Sequence, residues 1–168
     1  MGPNPLISEL IRILNEETRL YAGLHAAVKD EHAALTRIST EDLTTAGLEK
    51  ARIVAAARKL EVQRIAVVHR IAQGLGLSSA AVRISDIAAR VAPEQGEALM
   101  TCRRDMVAVV TALHRDNQRN ARLINSALSF VRGAIRLFDN LFNPQAVYQR
   151  TGRVSYSRPR GKMLSGNV

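Results

Sequence analysis

No proline interrupts the sequence between Pro93 and Pro144, and across that interval apolar residues recur at alternating steps of three and four. Leu99, Cys102, Met106, Val109, Leu113, Ile124, Leu128, Val131, Ile135, Phe138 and Phe142 share the register, with Asn117 and Asn120 in line between Leu113 and Ile124. That period marks a helix with one apolar stripe, and its mean spacing of about 3.5 residues is that of a coiled-coil seam. The spacing predicts one helix over 93–142, with Pro93 at its first position and Glu94 and Glu97 close behind. Two successive fours around Ile124 break the alternation, a stutter that rotates the seam. A seam of this length needs partner helices along it, and the rest of the sequence supplies two.

Asn4 and Pro5 are a helix cap and a first helical residue. Leu6, Leu10, Ile13, Leu20, Leu24, Ala27, Ala34 and Ile38 then keep the same alternation, with Glu17 and Glu31 on the same register. The quartet Ser39–Asp42 has capping-box spacing and opens a second helix, whose face holds Leu43, Ala46, Ile53, Ala57, Leu60, Val67 and Ile71. Gly74 and Gly76 end it, since glycine takes the left-handed cap conformation readily. Residues 79–92 read as a short helical connector capped at Ser85. The expected fold is all-α, an elongated antiparallel bundle of three long helices at about 5–38, 40–74 and 93–142 with that connector between the last two. It forms one domain over 1–142, followed by a basic tail over 143–168 with no sustained period, expected to be disordered.

Composition excludes several classes of function. Hydrophobic residues make up 46% of the 168, enough for a core, but aromatics are only 4%, which favours thin helical seams. A single cysteine, Cys102, forbids an internal disulfide and suits a reducing compartment. No signal-like N-terminus and no apolar run of about 18 residues is present, so a cytoplasmic protein is expected. There is no Cys-x-x-Cys pair, phosphate-cradling glycine loop or nucleophile elbow, and none of His25, His32, His69 or His114 has a Glu three residues before it. Neither a metal, a cofactor nor an enzymatic activity is expected. The net charge of +9 divides into about +4 for the body and +5 for the tail beyond residue 142. Tyr148 and Tyr156 among five tail bases allow a minor reading as a nucleic-acid binder.

Helix lengths carry the main functional expectation. At 1.5 Å per residue the first two helices span roughly 50 Å and the last roughly 75 Å. The last helix therefore outruns its partners by about 17 residues, near 126–142. All three phenylalanines, Phe130, Phe138 and Phe142, fall there. An apolar surplus of this kind is expected to be covered by a partner helix from another protein. Self-association, as a weak homodimer or a coiled-coil scaffold, is the alternative use of the same stripe.

Four segments occur in order: "EETRLYAGLHAAVKDEHAAL" in the first helix, "LEKARIVAAARKLEVQR" with Lys50 and Arg64 in the second, "NQRNARLINSAL" in the last, and a Tyr-x-x-x-Gly at Tyr148–Gly152. Together they resemble the FlgN family of flagellar export chaperones. The likeness covers roughly residues 6–155, and the basic end after Gly152 departs from it. The resemblance implies an all-helical cytoplasmic chaperone without enzyme activity. It implies binding to the C-terminal helical segments of hook–filament junction (hook-associated) proteins, prevention of their premature assembly, and delivery to the type III export gate. Carried onto this chain, Leu123, Ile124, Leu128, Val131, Ile135, Phe138 and Phe142 would bind the client. Tyr148 and Gly152 would dock to the export machinery.

Overall fold

The computed structural model describes residues 4–77 and 82–142, with side chains up to Asp139. Every regular element among the described residues is helical: α1 (Pro5–Arg37), α2 (Thr40–Gly74), α3 (Ile84–Ala88) and α4 (Pro93–Phe142). The three long helices have 33, 35 and 50 residues. By contacts the chain divides into two units, Met1–Leu123 and Ile124–Val168.

The first unit is an up-down-up helical bundle whose directions can be read from its cross-links. Glu17 meets Arg64 and Glu31 meets Lys50, so numbers rise along α1 as they fall along α2. Asn15 meets Cys102, His25 meets Asp116 and Val28 meets Asn120, so α4 runs parallel to α1. The central strut is therefore α1, packed on both sides. Its N-terminal half joins the ends of all the other helices in one cluster, where Ile7, Leu10, Ile13 and Leu14 pack with Val67, Ile71, Ile87, Leu99 and Cys102. Burial of each of the larger aliphatics is worth about 1.5–3 kcal/mol.

Packing on two sides explains where a single-seam reading of α1 falls short. Leu10, Ile13, Ala27 and Ala34 are buried as the alternation predicts, but so are Ile7, Leu14 and Val28, which lie one position off it. They form the second row that a helix between two partners needs. Leu6, Leu20 and Leu24 are only partly covered. Ile38 is the clearest departure: α1 stops at Arg37, and Ile38 is a left-handed cap (φ 57°, ψ 39°) that is 87% exposed. Its conformation follows from the link to α2, which has only two residues. The Ile38 N–H donates to the Leu35 carbonyl, the Ser39 N–H to that of Ala34, and Ser39 Oγ then accepts from the Asp42 N–H to open α2. A β-branched residue in this region costs about 1–2 kcal/mol. Ile38→Gly should therefore raise stability by about 0.5–1 kcal/mol, part of the gain being offset by the freedom of glycine in the unfolded chain. Urea unfolding should show a higher midpoint at unchanged slope.

The expected connector over 79–92 is helical only at Ile84–Ala88, with residues 78–81 outside the described set. Its cap is also not Ser85. The Asp86 carboxylate reaches back to accept from the Arg83 N–H at 3.1 Å, which places the start two residues earlier than a cap at Ser85 would. Immediately afterwards α4 begins against the end of α3. A Cβ at Gly96 would lie 2.7 Å from the Ala88 carbonyl oxygen, so glycine there allows the two backbones to touch. The predicted tail, 143–168, lies outside the described residues.

Candidate partner-binding surface

Within the first unit, polar groups hold α4 to a defined register on α1. Asn120 is buried and uses every face of its amide. Its Nδ2 donates to the Val28 carbonyl at 2.8 Å and to Glu31 Oε2 at 2.9 Å, and its Oδ1 accepts from His32 Nδ1 at 2.9 Å. Because an amide oxygen only accepts, Nδ1 of His32 carries a proton. Glu31 in turn takes two hydrogen bonds from Lys50 Nζ, at 2.9 and 3.0 Å. One buried cluster thus ties all three long helices at one level. Asn117, which the sequence places on the same seam, is instead exposed. It lines a side groove of about 380 Å³ with Leu24, Val28, Lys50, Val54, Val110 and their neighbours.

The reason lies in the alternation itself. From Leu99 the strict steps of three and four run through Cys102, Met106, Val109, Leu113, Asp116 and Asn120. The seam follows this path, through Asp116 and not Asn117. His25 Nε2 donates to Asp116 Oδ2 at 2.7 Å, and that hydrogen bond, aided by Arg115, lowers the Asp116 carboxyl pKa. A depressed carboxyl pKa stabilises the fold above the ordinary carboxyl range, and the contribution is lost as pH falls through the lowered value. Asp116→Asn should therefore flatten the acid limb of the stability–pH curve below about pH 4 and leave the neutral limb parallel to that of the parent.

Lower on the same seam, Cys102 is buried, donates weakly to Asn15 Oδ1 at 3.5 Å, and has its thiol pKa raised by burial. The other seam charges of α1 are also satisfied. Arg64 Nε lies 3.0 Å from both oxygens of the buried Glu17. Burial, with Glu17 and Glu61 nearby, raises the Tyr21 pKa.

Beyond Asn120 the strict alternation continues through Leu123, Ala127, Phe130, Ala134, Leu137 and Leu141. The stripe named from the sequence, Ile124 to Phe142, lies one residue further round. Both rows are apolar, so α4 carries a face that fills four of every seven positions, about 200° of the helix. In the second unit Leu128, Phe130, Val131, Ile135, Leu137 and Phe138 are each between 46% and 78% exposed. Leu123, at the end of the first unit, is also exposed, and Ile124 is half-buried. Phe130 and Leu137 were outside the predicted stripe, and the signal for them was the unbroken run of threes and fours through Asp116. The opposite face holds Asn125, Ser126, Ser129, Arg132, Arg136 and Asp139. The side chain of Phe142, and Tyr148 and Gly152 altogether, lie outside the described residues.

A family model described as FlgN protein matches residues 1–155. The chain belongs to the FlgN family. FlgN proteins are flagellar export chaperones, a family of binders and not of enzymes. Comparison with curated proteins and with solved structures found no match. The buried groups give physical content to the segments by which the sequence resembles FlgN. Lys50 and Arg64 of the second segment pair with Glu31 and Glu17 of the first, and Asn120 of the third joins the same cluster. No helix among the described residues is long and apolar enough to cross a membrane.

Proposed function

We propose that this FlgN protein works in the cytoplasm, where it captures the C-terminal amphipathic helical segment of a hook–filament junction protein. It thereby keeps that subunit unassembled and brings it to the export gate. The observation that carries the reading is the exposed apolar face of Leu128, Val131, Ile135 and Phe138, broadened by Phe130 and Leu137, on a helix of an export-chaperone family. A subunit that polymerises through terminal helices needs those helices covered until export, and a helix laid along an apolar face covers them. Four apolar positions in seven are wider than one coiled-coil seam, so the face suits two client helices or a helical hairpin. Leu123 and Ile124 border this surface, and Phe142 continues its sequence register. Tyr148 and Gly152 are the proposed contacts to the export machinery, separate from the client face.

Titration of the full chain with the C-terminal segment of a hook-associated protein tests the reading. Saturable binding is expected, lost on placing aspartates at Val131 and Ile135 and retained on placing one at Leu48. Absence of binding, or equal affinity in all three chains, would remove the proposed client surface. Sedimentation of the unliganded chain separates it from a scaffold, whose aspartate variant would lose a stable dimer.

A further inference from the structure

A second seam runs along α2, on the face turned away from α1. The face that α2 gives to α1 passes through Ala46, Lys50, Ile53, Ala57, Leu60, Arg64, Val67 and Ile71 at strict steps of four and three. Two residues on, about 200° round the helix, a parallel series begins: Leu48, Ala51, Ala55, Arg58, Val62, Ile65 and His69. It keeps the alternation for three full heptads, and all seven side chains are exposed. Leu48, Val62 and Ile65 each leave more than half their surface in water. A helix needing only one partner gains nothing from a repeat of this regularity on its far side, since solvated faces carry polar residues.

The inner seam shows what such a partner must carry. Each cation within it, Lys50 and Arg64, meets a carboxylate at the facing seam position of α1, Glu31 and Glu17, at 2.9–3.0 Å. The outer seam has one cation, Arg58, at its centre, and Arg58 makes no ion pair among the described residues. Beside it, a groove of about 720 Å³ between α1 and α2 has an apolar floor that includes Leu20, Ala56 and Leu60. Its charged lining is Glu16 and Arg52, each paired along its own helix, with Arg19 and Lys59, which likewise make no ion pair among the described residues. A second copy of this chain is a poor occupant. Pairing two outer seams about their centres, parallel or antiparallel, sets Arg58 against Arg58 with no acid in either seam to relieve it.

We infer that the outer face of α2 docks an amphipathic helix of another protein, one whose own apolar seam carries a carboxylate at its centre to meet Arg58. This is a site separate from the client face on α4, and it leaves that face free to hold cargo while the second partner is bound.

Two synthetic helical peptides test it. They share a leucine/isoleucine seam and differ in one central seam residue, Glu in one and Lys in the other. Titrated into the full chain, the Glu peptide should bind at least about tenfold tighter, as expected for a close opposite-charge contact instead of a like-charge one. Arg58→Glu should reverse the order and Val62→Asp should abolish binding of the Glu peptide, each read in the Val131→Asp/Ile135→Asp chain so that the client face of α4 takes up neither peptide. Circular dichroism should show all three exposed-site variants folded as the parent. Equal affinity for the two peptides, an unreversed order in Arg58→Glu, or a chain dimer that dissociates on Val62→Asp would each overturn the inference. Client binding through α4 is read separately, by the aspartates at Val131 and Ile135, so either site can fail alone.

Discussion

In the double variant Val131→Asp/Ile135→Asp, affinity for the client segment is expected to fall by about 100-fold or more, with the thermal midpoint of the chain little changed. Full burial of a valine or isoleucine is worth about 1.5–3 kcal/mol. Their own helix already covers nearly half of each of these side chains. The pair therefore supplies roughly 2–3 kcal/mol on docking, and each 1.4 kcal/mol is a factor of ten. Two carboxylates that must be desolvated or left facing apolar surface add to the loss. The fold is spared because neither position belongs to the buried cluster of the first unit. Calorimetric titration and a thermal melt on the same samples check both halves. A large drop in the midpoint with affinity preserved would reverse the assignment of these residues from docking to core.

Stability should respond most sharply at Asn120. Asn120→Asp is expected to lose about 3 kcal/mol near neutral pH, since the amide donors to the Val28 carbonyl and Glu31 Oε2 are replaced by an acceptor facing two acceptors. An alanine there, which strands the same groups without adding charge, should cost about 1–3 kcal/mol. The introduced carboxyl sits close to Glu31, so its folded pKa is raised. The penalty is then full above that raised value and relieved as pH falls to the ordinary carboxyl range near 4. Asn117→Asp is the control, and on an exposed side chain it should stay within about 0.5 kcal/mol of the parent. Urea titrations at pH 7 and pH 4 distinguish the two asparagines. If both variants cost the same, the register function assigned to Asn120 alone fails.

The contrast between these two residues marks how far the sequence could be read. Helix existence and approximate extent were plain, because alternation of three and four, the Asn4–Pro5 start, the Ser39 cap and Pro93 are local chemistry that tertiary contacts reinforce. Seam positions within a helix were less plain, because the same sequence supports alternatives one residue apart. Asn117 continues the series from Leu113 only by repeating a step of four, whereas Asp116 keeps the alternation, and its partner His25 fixes it against α1. The same one-residue shift left Leu137, and Phe130 of the apolar surplus, beside the named stripe. Glu17 and Glu31 stood visibly on the α1 register, but their ion pairs depend on α2 arriving at the right level, which no local pattern encodes. At Ile38 propensity pointed into the helix, and a two-residue link overrode it.

The brevity of that link also orders events during synthesis. Helices α1 and α2 are joined by two residues, and their salt bridges close loops of 19 and 47 residues. The contacts of α4 with α1 span 87 to 92. Short loops close faster and at lower entropic cost. The α1–α2 hairpin can therefore form on the emerging polypeptide while Asn120 is still unmade. In that interval the α1 carboxylate of Glu31 already has its lysine, while the Val28 carbonyl and His32, which Asn120 will meet, still lack that partner. Translation speed across the interval from Gly74 to Asn120 thus sets how long a nascent chain shows its unfinished side to other chains.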